Sequence, residues 1–396
     1  MKILIAHNHY GDFATGGEAM VFNAESNLLK RNGYEVLTYD RSNSELYNKS
    51  LMYKVNAVLH LHWSKHTILE IGKIMDEFKP DVLHVHNYKF LITPSIFYAA
   101  KQRGIKTVLT LHNYRLMVPC GNFMTKDGKV CEKCLTESPI NILKYRCAQG
   151  SVLKSFLQYR LFTKTKFKLN QLVDLVDTYI VLSNFAKNKL EQAGVPLNQI
   201  VIKPNFITTD DNTKLLSKNE RAVFIGRLSF EKGILNLIED WSSINYPLYI
   251  IGTGPLEGKA KELSKSNKNI TFLGNMENTK VKEFLAESSF LVFPSTWYEG
   301  MPITILEAMS VSLPVIATNL GPRNEMIQNG VNGFLYENGN SKEFKEKVNI
   351  LIENKDLRGK MGRAGKEFYN ENYTPQKNII LLKSIYEKLI SQNEST

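Results

Sequence analysis

A chain of 396 residues has enough material for two domains, each with its own core. Its hydrophobic fraction of 43% and charged fraction of 22% exclude a disordered or fibrous chain. No apolar run approaches the length that spans a bilayer, and four cysteines are too few for a disulfide framework. The net charge of +11 sits in one half: residues 1–205 hold 27 Lys and Arg against 16 Asp and Glu, while residues 206–396 hold 23 of each.

The apolar core of Met1–Ala6 is too short for a signal peptide and reads as a buried strand, Lys2–Ala6, so a cytoplasmic protein is expected. His7–Gly17 reads as its exit loop and Glu18–Arg31 as a helix, closed by Gly33. Further strands are expected at Glu35–Tyr39, Val55–Leu61, Asp81–Val85, Lys106–Leu111 and Asp177–Leu182. Strands alternating with helices predict an α/β domain with a doubly wound parallel sheet. All eight histidines lie in residues 1–112, and several stand at strand ends: His60 and His62, His84 and His86, then His112. Ligands of such sheets bind beyond the carboxyl ends of the strands, so His7, His9, His86 and His112 predict a polar pocket there. Histidines simply hydrogen-bonded at strand ends are the bland alternative. A metal site has no distinctive ligand spacing to support it.

Cys120, Cys131, Cys134 and Cys147 are spaced Cys-x10-Cys-x2-Cys-x12-Cys within 28 residues. One reading is a structural zinc site, since four thiolates leave no open position for chemistry; the other is buried reduced thiols. Between Glu137 and Asp174 there is no acid. Lys144, Arg146, Lys154, Arg160, Lys164, Lys166 and Lys168 are interleaved there with Leu153, Phe156, Leu157, Tyr159, Leu161, Phe162 and Phe167. A basic stretch of this kind, residues 144–168, suits a helix lying on an anionic membrane, or an ordinary helix with a solvated basic face. No nucleic-acid-binding module accompanies the charge, and no nucleic-acid partner is expected.

The first half ends near Pro204-Asn205, and the polar, turn-rich stretch from Thr208 to Asn219 reads as a linker. A second sheet begins at Ala222 and continues through Pro247–Ile251, Asn269–Leu273, Phe290–Phe293 and Pro314–Ala317. Thr374–Ile390 is helical in pattern, and 392–396 is expected to fray. The densest signal runs from Phe290 to Ala317: strand, loop, a helix opening at Pro302, then another strand. A helix start offers unpaired N–H groups to a phosphate. Glu299 and Glu307 flank that start, and carboxylates would be repelled by phosphate, so they suit hydroxyls of a sugar or ribose. The bland alternative is that Glu299 favours the helix dipole and Glu307 is solvated.

Glu299-Gly300-Met301-Pro302, with Glu307 eight positions after Glu299, resembles the signature of the family-4 retaining glycosyltransferases. Gly226-Arg227-Leu228 with Glu231-Lys232-Gly233 resembles that family's basic loop, Gly252-Thr253-Gly254-Pro255 its Gly-x-Gly-Pro turn, and Gly16-Gly17 its first glycine loop. The likeness covers nearly the whole chain and is strongest from Arg221 to Gly333. It implies the GT-B architecture: two doubly wound, Rossmann-like domains facing across a cleft. Residues 1–205 would bind the acceptor, with the Cys-containing stretch 113–150 as an excursion absent from the common family core. Residues 206–372 would bind the nucleotide sugar, and residues 373–396 would form a helix crossing back to the first domain.

The resemblance implies transfer of a sugar from a nucleotide diphosphate sugar, UDP being the expected nucleotide, to a hydroxyl of a glycan or lipid-linked acceptor in surface-polysaccharide assembly. Arg227 and Lys232 would take the charge of the leaving diphosphate. The chain has no Asp-x-Asp to hold Mg2+, so catalysis without a metal is expected. Glu299 would hold the donor sugar, Glu307 the ribose, and His112 would reach the sugar near its reacting carbon. Gly16, Gly17, Gly226, Gly252, Gly254, Gly274, Met276, Gly300, Met301, Pro302, Ile303 and Thr304 would complete the donor site. His7, His86 and Asn113 are candidates for the acceptor side. Two other readings are a GT-B enzyme of another reaction, such as a sugar-nucleotide epimerase or a phosphorylase, and a non-catalytic membrane- or nucleic-acid-binding protein. The Glu299/Glu307 pair with Arg227 and Lys232 counts against an epimerase, no cofactor-binding lysine motif supports a phosphorylase, and the donor-site set argues against a non-catalytic protein.

Overall fold

The computed structural model describes residues 1–11, 16–47, 49, 50, 52, 63–88, 90–167, 169–208 and 219–391. The chain forms two compact units. The first comprises Met1–Asn122, Glu132–Asn205 and the segment from Pro375; the second comprises Phe123–Cys131 and Phe206–Thr374. The expected strand 55–61, with His60 and His62, lies outside the described residues, as does most of the expected linker.

In the first unit, six parallel strands are described: β1 (Lys2–His9), β2 (Glu35–Ser42), β3 (Val82–Asn87), β4 (Lys106–Leu111), β5 (Thr178–Val181) and β6 (Ile200–Ile202), in the order β2-β1-β3-β4-β5-β6. The expected exit loop from His7 is instead strand. His7, Asn8 and His9 pair in register with Asp40, Arg41 and Ser42, because β2 is itself long enough to support them. Helix α1 (Gly17–Arg31) covers the sheet through Phe22 and Leu29. α2 (Lys65–Phe78), capped by the Ser64 hydroxyl accepting from the Thr67 N–H, and α3 (Ser95–Lys101) also belong to this unit. α4 (Val152–Phe167) lies in the acid-free stretch.

In the second unit the strands are β7 (Ala222–Ile225), β8 (Leu248–Ile251), β9 (Ile270–Gly274), β10 (Phe290–Phe293), β11 (Val315–Thr318) and β12 (Gly333–Tyr336), in the order β12-β11-β10-β7-β8-β9. Again all neighbours are parallel. α5 (Ile234–Trp241) carries an apolar face of Ile234, Leu237, Ile238 and Trp241 into the core, where the Trp241 indole donates to the Tyr246 carbonyl at 2.8 Å. α6 (Ile303–Ser310) follows β10, and α7 (Lys355–Asn372) packs on it. The short segment Phe123–Cys131 belongs to this unit: Met124 bridges Val130, and the Phe123 ring meets Tyr298 at 5.7 Å.

The last helix, α8 (Pro375–Ser391), is part of the first unit's core. Leu382, Ile385, Tyr386 and Leu389 recur at helical spacing and pack with Ile3, Ile5 and Phe22. The side chain of Leu382 has no solvent exposure. Leu382→Ala should therefore destabilise the first unit by about 3 kcal/mol, measured by urea unfolding, although it lies far along the chain from the strands it covers.

Candidate active site

In the second sheet, β8 and β9 lie on one side of β7 and β10 to β12 on the other. Connections therefore leave β7 and β10 in opposite directions, and the crevice at their carboxyl ends is left uncovered. Two charged side chains meet there. Lys232 follows β7 by way of a short turn, and Glu299 follows β10; Lys232 Nζ stands 2.7 Å from Glu299 Oε1. The Ser295 hydroxyl donates to the same oxygen at 2.7 Å. The turn carrying Lys232 has no slack. Gly233 has φ 70°, and a Cβ on it would run into the Pro294 carbonyl oxygen. Gly252 likewise has φ 127° and backs onto the Gly226 carbonyl.

Gly226, Gly252 and Gly274 stand at the carboxyl ends of the adjacent strands β7, β8 and β9, and give that edge a floor without side chains. Arg227 is exposed directly after Gly226. Met276 and Leu273 are partly exposed beside Gly274. Pro302 is not the first helical residue, as its position suggests, but the cap: its ψ of 110° is extended, and α6 starts at Ile303. The N–H groups of Ile303 and Thr304 thus open the helix just after Gly300 and Met301.

The two carboxylates differ. Glu299 is 8% exposed; burial works to raise its pKa, but Lys232 and Ser295 outweigh it and hold the carboxyl below its ordinary range. Glu307 projects from α6, and among the described residues its carboxylate has no hydrogen-bond or ion-pair partner; burial raises it to about 6, against a weak opposing pull from Lys282. Such a group is set up to accept hydrogen bonds from a ligand.

In the first sheet, β1 and β3 flank the corresponding reversal. Asn8 accepts at Oδ1 from the Leu91 and Ile92 N–H groups at 2.9 and 3.1 Å, and the Asn87 amide donates to the Asn8 carbonyl at 2.6 Å. A cavity of about 140 Å3 opens beyond the ends of β3 and β4. His86, His112, Asn113 and Arg115 line it beside Tyr88, Leu111, Leu116 and Pro119, and α4 closes it with Gln158, Leu161 and Phe162. Asn113 donates to Glu18 at 2.9 Å, which ties the cavity rim to the start of α1. Gly16, with φ 113°, caps that helix, and Gly17 is its first residue.

The structure thus assembles Lys232, Glu299, the glycine edge and the start of α6 in one unit, and His86, His112 and Asn113 in the other. His7 does not line the cavity. It is 1% exposed, stacks on Phe22 at 5.0 Å, and is held neutral by burial, its pKa lowered to about 2. Cys134 donates to the Pro139 carbonyl at 3.8 Å, and Cys131 belongs to the second unit while Cys120, Cys134 and Cys147 belong to the first. Among the described residues no three of these sulfurs stand close enough to share one ion. α4 turns Leu153, Phe156 and Leu157 outward beside Lys154, Arg160 and Lys164. No described helix is long and apolar enough to cross a membrane.

Residues that sequence reasoning passed over support the site from beneath. Arg323 is fully buried, donates to the Thr318 and Trp297 carbonyls at 2.8 and 3.1 Å, and braces the loop that presents Glu299. Glu25 and Lys203 form an ion pair of 2.6 Å with no exposure on either side chain. Nothing local marks them: each reads as an ordinary surface charge, and only a partner far along the chain makes burial tolerable.

Two parallel sheets, each open at a reversal of its connections, define a doubly wound α/β protein of two units. Residues 206–368 match the family described as Glycosyl transferases group 1, and residues 15–211 match Glycosyltransferase Family 4. The chain is 26% identical over 398 residues to an uncharacterized glycosyltransferase of Methanocaldococcus jannaschii, covering 98% of this chain and 99% of that one. It is 25% identical to the capsular polysaccharide biosynthesis glycosyltransferase CapM of Staphylococcus aureus, over 83% of this chain and 91% of CapM. The fold matches that of the Anabaena protein HepE, solved in complex with UDP-glucose, with a TM-score of 0.63 at 15% identity over 98% and 100% of the two chains. The chain belongs to the family-4 glycosyltransferases of GT-B fold.

The raised pKa of Glu307 has a measurable sign. Its carboxyl titrates near 4.5 when unfolded and near 6 when folded, so ionising it disfavours the fold, and the empty protein loses stability as pH rises through 6. Glu307→Gln should raise the melting temperature of the empty protein at pH 8, by on the order of 1 kcal/mol of stability, and leave it unchanged near pH 4.5. Calorimetry at the two pH values checks both halves.

Proposed function

We propose that this glycosyltransferase moves a hexosyl or N-acetylhexosaminyl group from a UDP-sugar to a hydroxyl of a glycan or lipid-linked acceptor. The anomeric configuration is retained and no metal ion takes part in the transfer. The observation that carries the reading is the meeting of Lys232 and Glu299 at the uncovered crevice, with Arg227 exposed beside it and the start of α6 opening next to Glu299.

The leaving diphosphate needs fixed positive charge as its bond to the sugar breaks. Arg227 offers a planar fork to phosphate oxygens and Lys232 a point charge, while the Ile303 and Thr304 N–H groups add donors without a counter-ion. Glu299, already ionised against Lys232, accepts from hydroxyls of the donor sugar, and Glu307 accepts from the ribose diol. His112 lies at the cavity in the first unit, where the acceptor binds. Among the described residues no side chain is arranged as a covalent nucleophile. The departing phosphate itself takes the acceptor proton, on the face from which the acceptor attacks.

UDP is supported by HepE, which was solved with UDP-glucose, and a surface-polysaccharide role by the capsular relative CapM. A lipid-linked acceptor is supported by the apolar wall that Tyr88, Leu111, Leu116, Leu161 and Phe162 give the cavity. The outward Leu153, Phe156 and Leu157 of α4, with Lys154, Arg160 and Lys164, support docking on an anionic membrane, where each basic residue contributes about 1 kcal/mol.

UDP at about 100 times its Kd should stabilise the protein by about 2.7 kcal/mol in a thermal-shift measurement, and GDP, ADP and CMP should not. EDTA should leave both the UDP shift and transfer unaffected. Arg227→Ala and Lys232→Ala should each lower turnover by about 100-fold or more; losses of about tenfold or less in both would remove the metal-free account. The anomeric proton coupling of the product reads retention directly. Vesicles containing phosphatidylglycerol should co-sediment the protein, neutral vesicles should not, and Phe156→Glu with Leu157→Glu should abolish the binding.

A further inference from the structure

The inner face of the first sheet carries a chain of polar groups from its core to the cavity. Val82, His84 and His86 share one face of β3, and Val108 and Thr110 share the matching face of β4, with His112 just beyond. His84 is fully buried and engaged at both nitrogens, with Tyr386 of α8 and with Thr110, each at 2.7 Å. His86 Nδ1 stands 3.0 Å from His112 Nε2, and the two rings lie 22° from parallel. Its other nitrogen, Nε2, stands 3.2 Å from Glu25 Oε1. The same carboxylate oxygen stands 3.3 Å from His84 Nδ1, the nitrogen that Tyr386 engages, so Glu25 Oε1 faces both rings. The second carboxylate oxygen of Glu25 holds Lys203 at 2.6 Å.

This arrangement decides where the ring protons sit. Burial works to raise the Glu25 pKa, but Lys203 and then His86 hold it well below 4.5, so Glu25 is an anion and accepts only. A singly protonated His86 then carries its proton on Nε2, because a lone pair there would face the anion, and its Nδ1 is a lone pair. That lone pair can only accept, so His112 carries its proton on Nε2. His112 is kept neutral by burial and by its histidine neighbours, and its remaining nitrogen, Nδ1, is therefore an acceptor.

Glu25, His84 and His86 also offer three ligand atoms within 4.8 Å of one another. A metal ion there would compete with Lys203, which already supplies the positive charge, and with Tyr386, which already occupies His84 Nδ1.

We propose that Glu25 is a positioning residue for sugar transfer: through His86 it fixes the tautomer of His112, so that His112 presents a hydrogen-bond acceptor to a hydroxyl of the bound sugar. Glu25 touches no substrate and acts only through the two rings. The inference rests on the transfer reading above, and it deepens that reading by giving His112 a defined polarity.

The test uses the full chain labelled with 15N-histidine. The ring signals of His112 are identified by their loss in His112→Gln. The wild-type signals should show His112 protonated on Nε2. In the paired variant Glu25→Gln with Lys203→Met, which removes both buried charges together, His112 should become a mixture of tautomers. In the same variant kcat should fall by about tenfold to 100-fold with donor KM nearly unchanged. His86→Gln keeps the Glu25–Lys203 pair and should lower kcat similarly, so a paired variant that fails to fold does not remove the test. His112 protonated on Nδ1 in the wild type, ring signals unchanged in the folded variant, or an unchanged kcat in His86→Gln would overturn the proposal. The ring signals need no turnover, so a wild-type protein inactive on UDP-sugars would count against the transfer reading without deciding the tautomer.

Discussion

Where successive connections of a parallel sheet leave in opposite directions, no helix can cover the carboxyl ends of the two strands that flank the reversal. Both sheets of this protein have such a point, between β7 and β10 in one unit and between β1 and β3 in the other. The chemistry gathers at these points because there the backbone must turn away, and side chains from two distant segments are brought side by side. Lys232 and Glu299 are 67 residues apart in sequence and 2.7 Å apart in space for that reason alone. In the first unit the same constraint places Asn8 at the ends of β1 and β3 and the histidines of β3 beside those of β4.

Around these two openings, charge is handled in opposite ways. Beneath the surface every charge described is matched: Glu25 by Lys203, and Arg323 by the carbonyls of Thr318 and Trp297. A buried ion left without its partner would cost several kcal/mol, so these groups hold their segments in one arrangement. At the rim, Lys232 and Glu299 match each other, but Glu307 differs: among the described residues its carboxylate has no partner, and burial raises its pKa. Such a group lowers the stability of the empty protein.

Close backbone approach is the other constraint. Gly233 and Gly252 adopt φ of 70° and 127° and lie against carbonyl oxygens of neighbouring segments. Any side chain there would push the Lys232 turn away from the β10 loop, or β8 away from β7. The glycines of the motif therefore hold the distance between the charged groups.

The glycosyltransferase motifs, the alternation of strand and helix and the two-unit plan were legible in the sequence, because each depends on residues that are neighbours in the chain: the Glu-Gly-Met-Pro turn, the Gly-Arg-Leu loop, the apolar run of Phe290–Phe293. The short strands Ile200–Ile202 and Gly333–Tyr336 were not, since three or four residues carry too little periodicity to stand out. Nor was the role of His7, which reads like the other strand-end histidines until Phe22 is seen stacked on it. By itself the sequence determined the family, the elements and the residue types available for chemistry, because local spacing and backbone preference specify these. Tertiary structure alone decided which charges are buried, which residue partners which, and which face of a strand meets the cavity. Lys203 lies 178 residues from Glu25, and no local preference can encode a burial that only the assembled sheet makes tolerable.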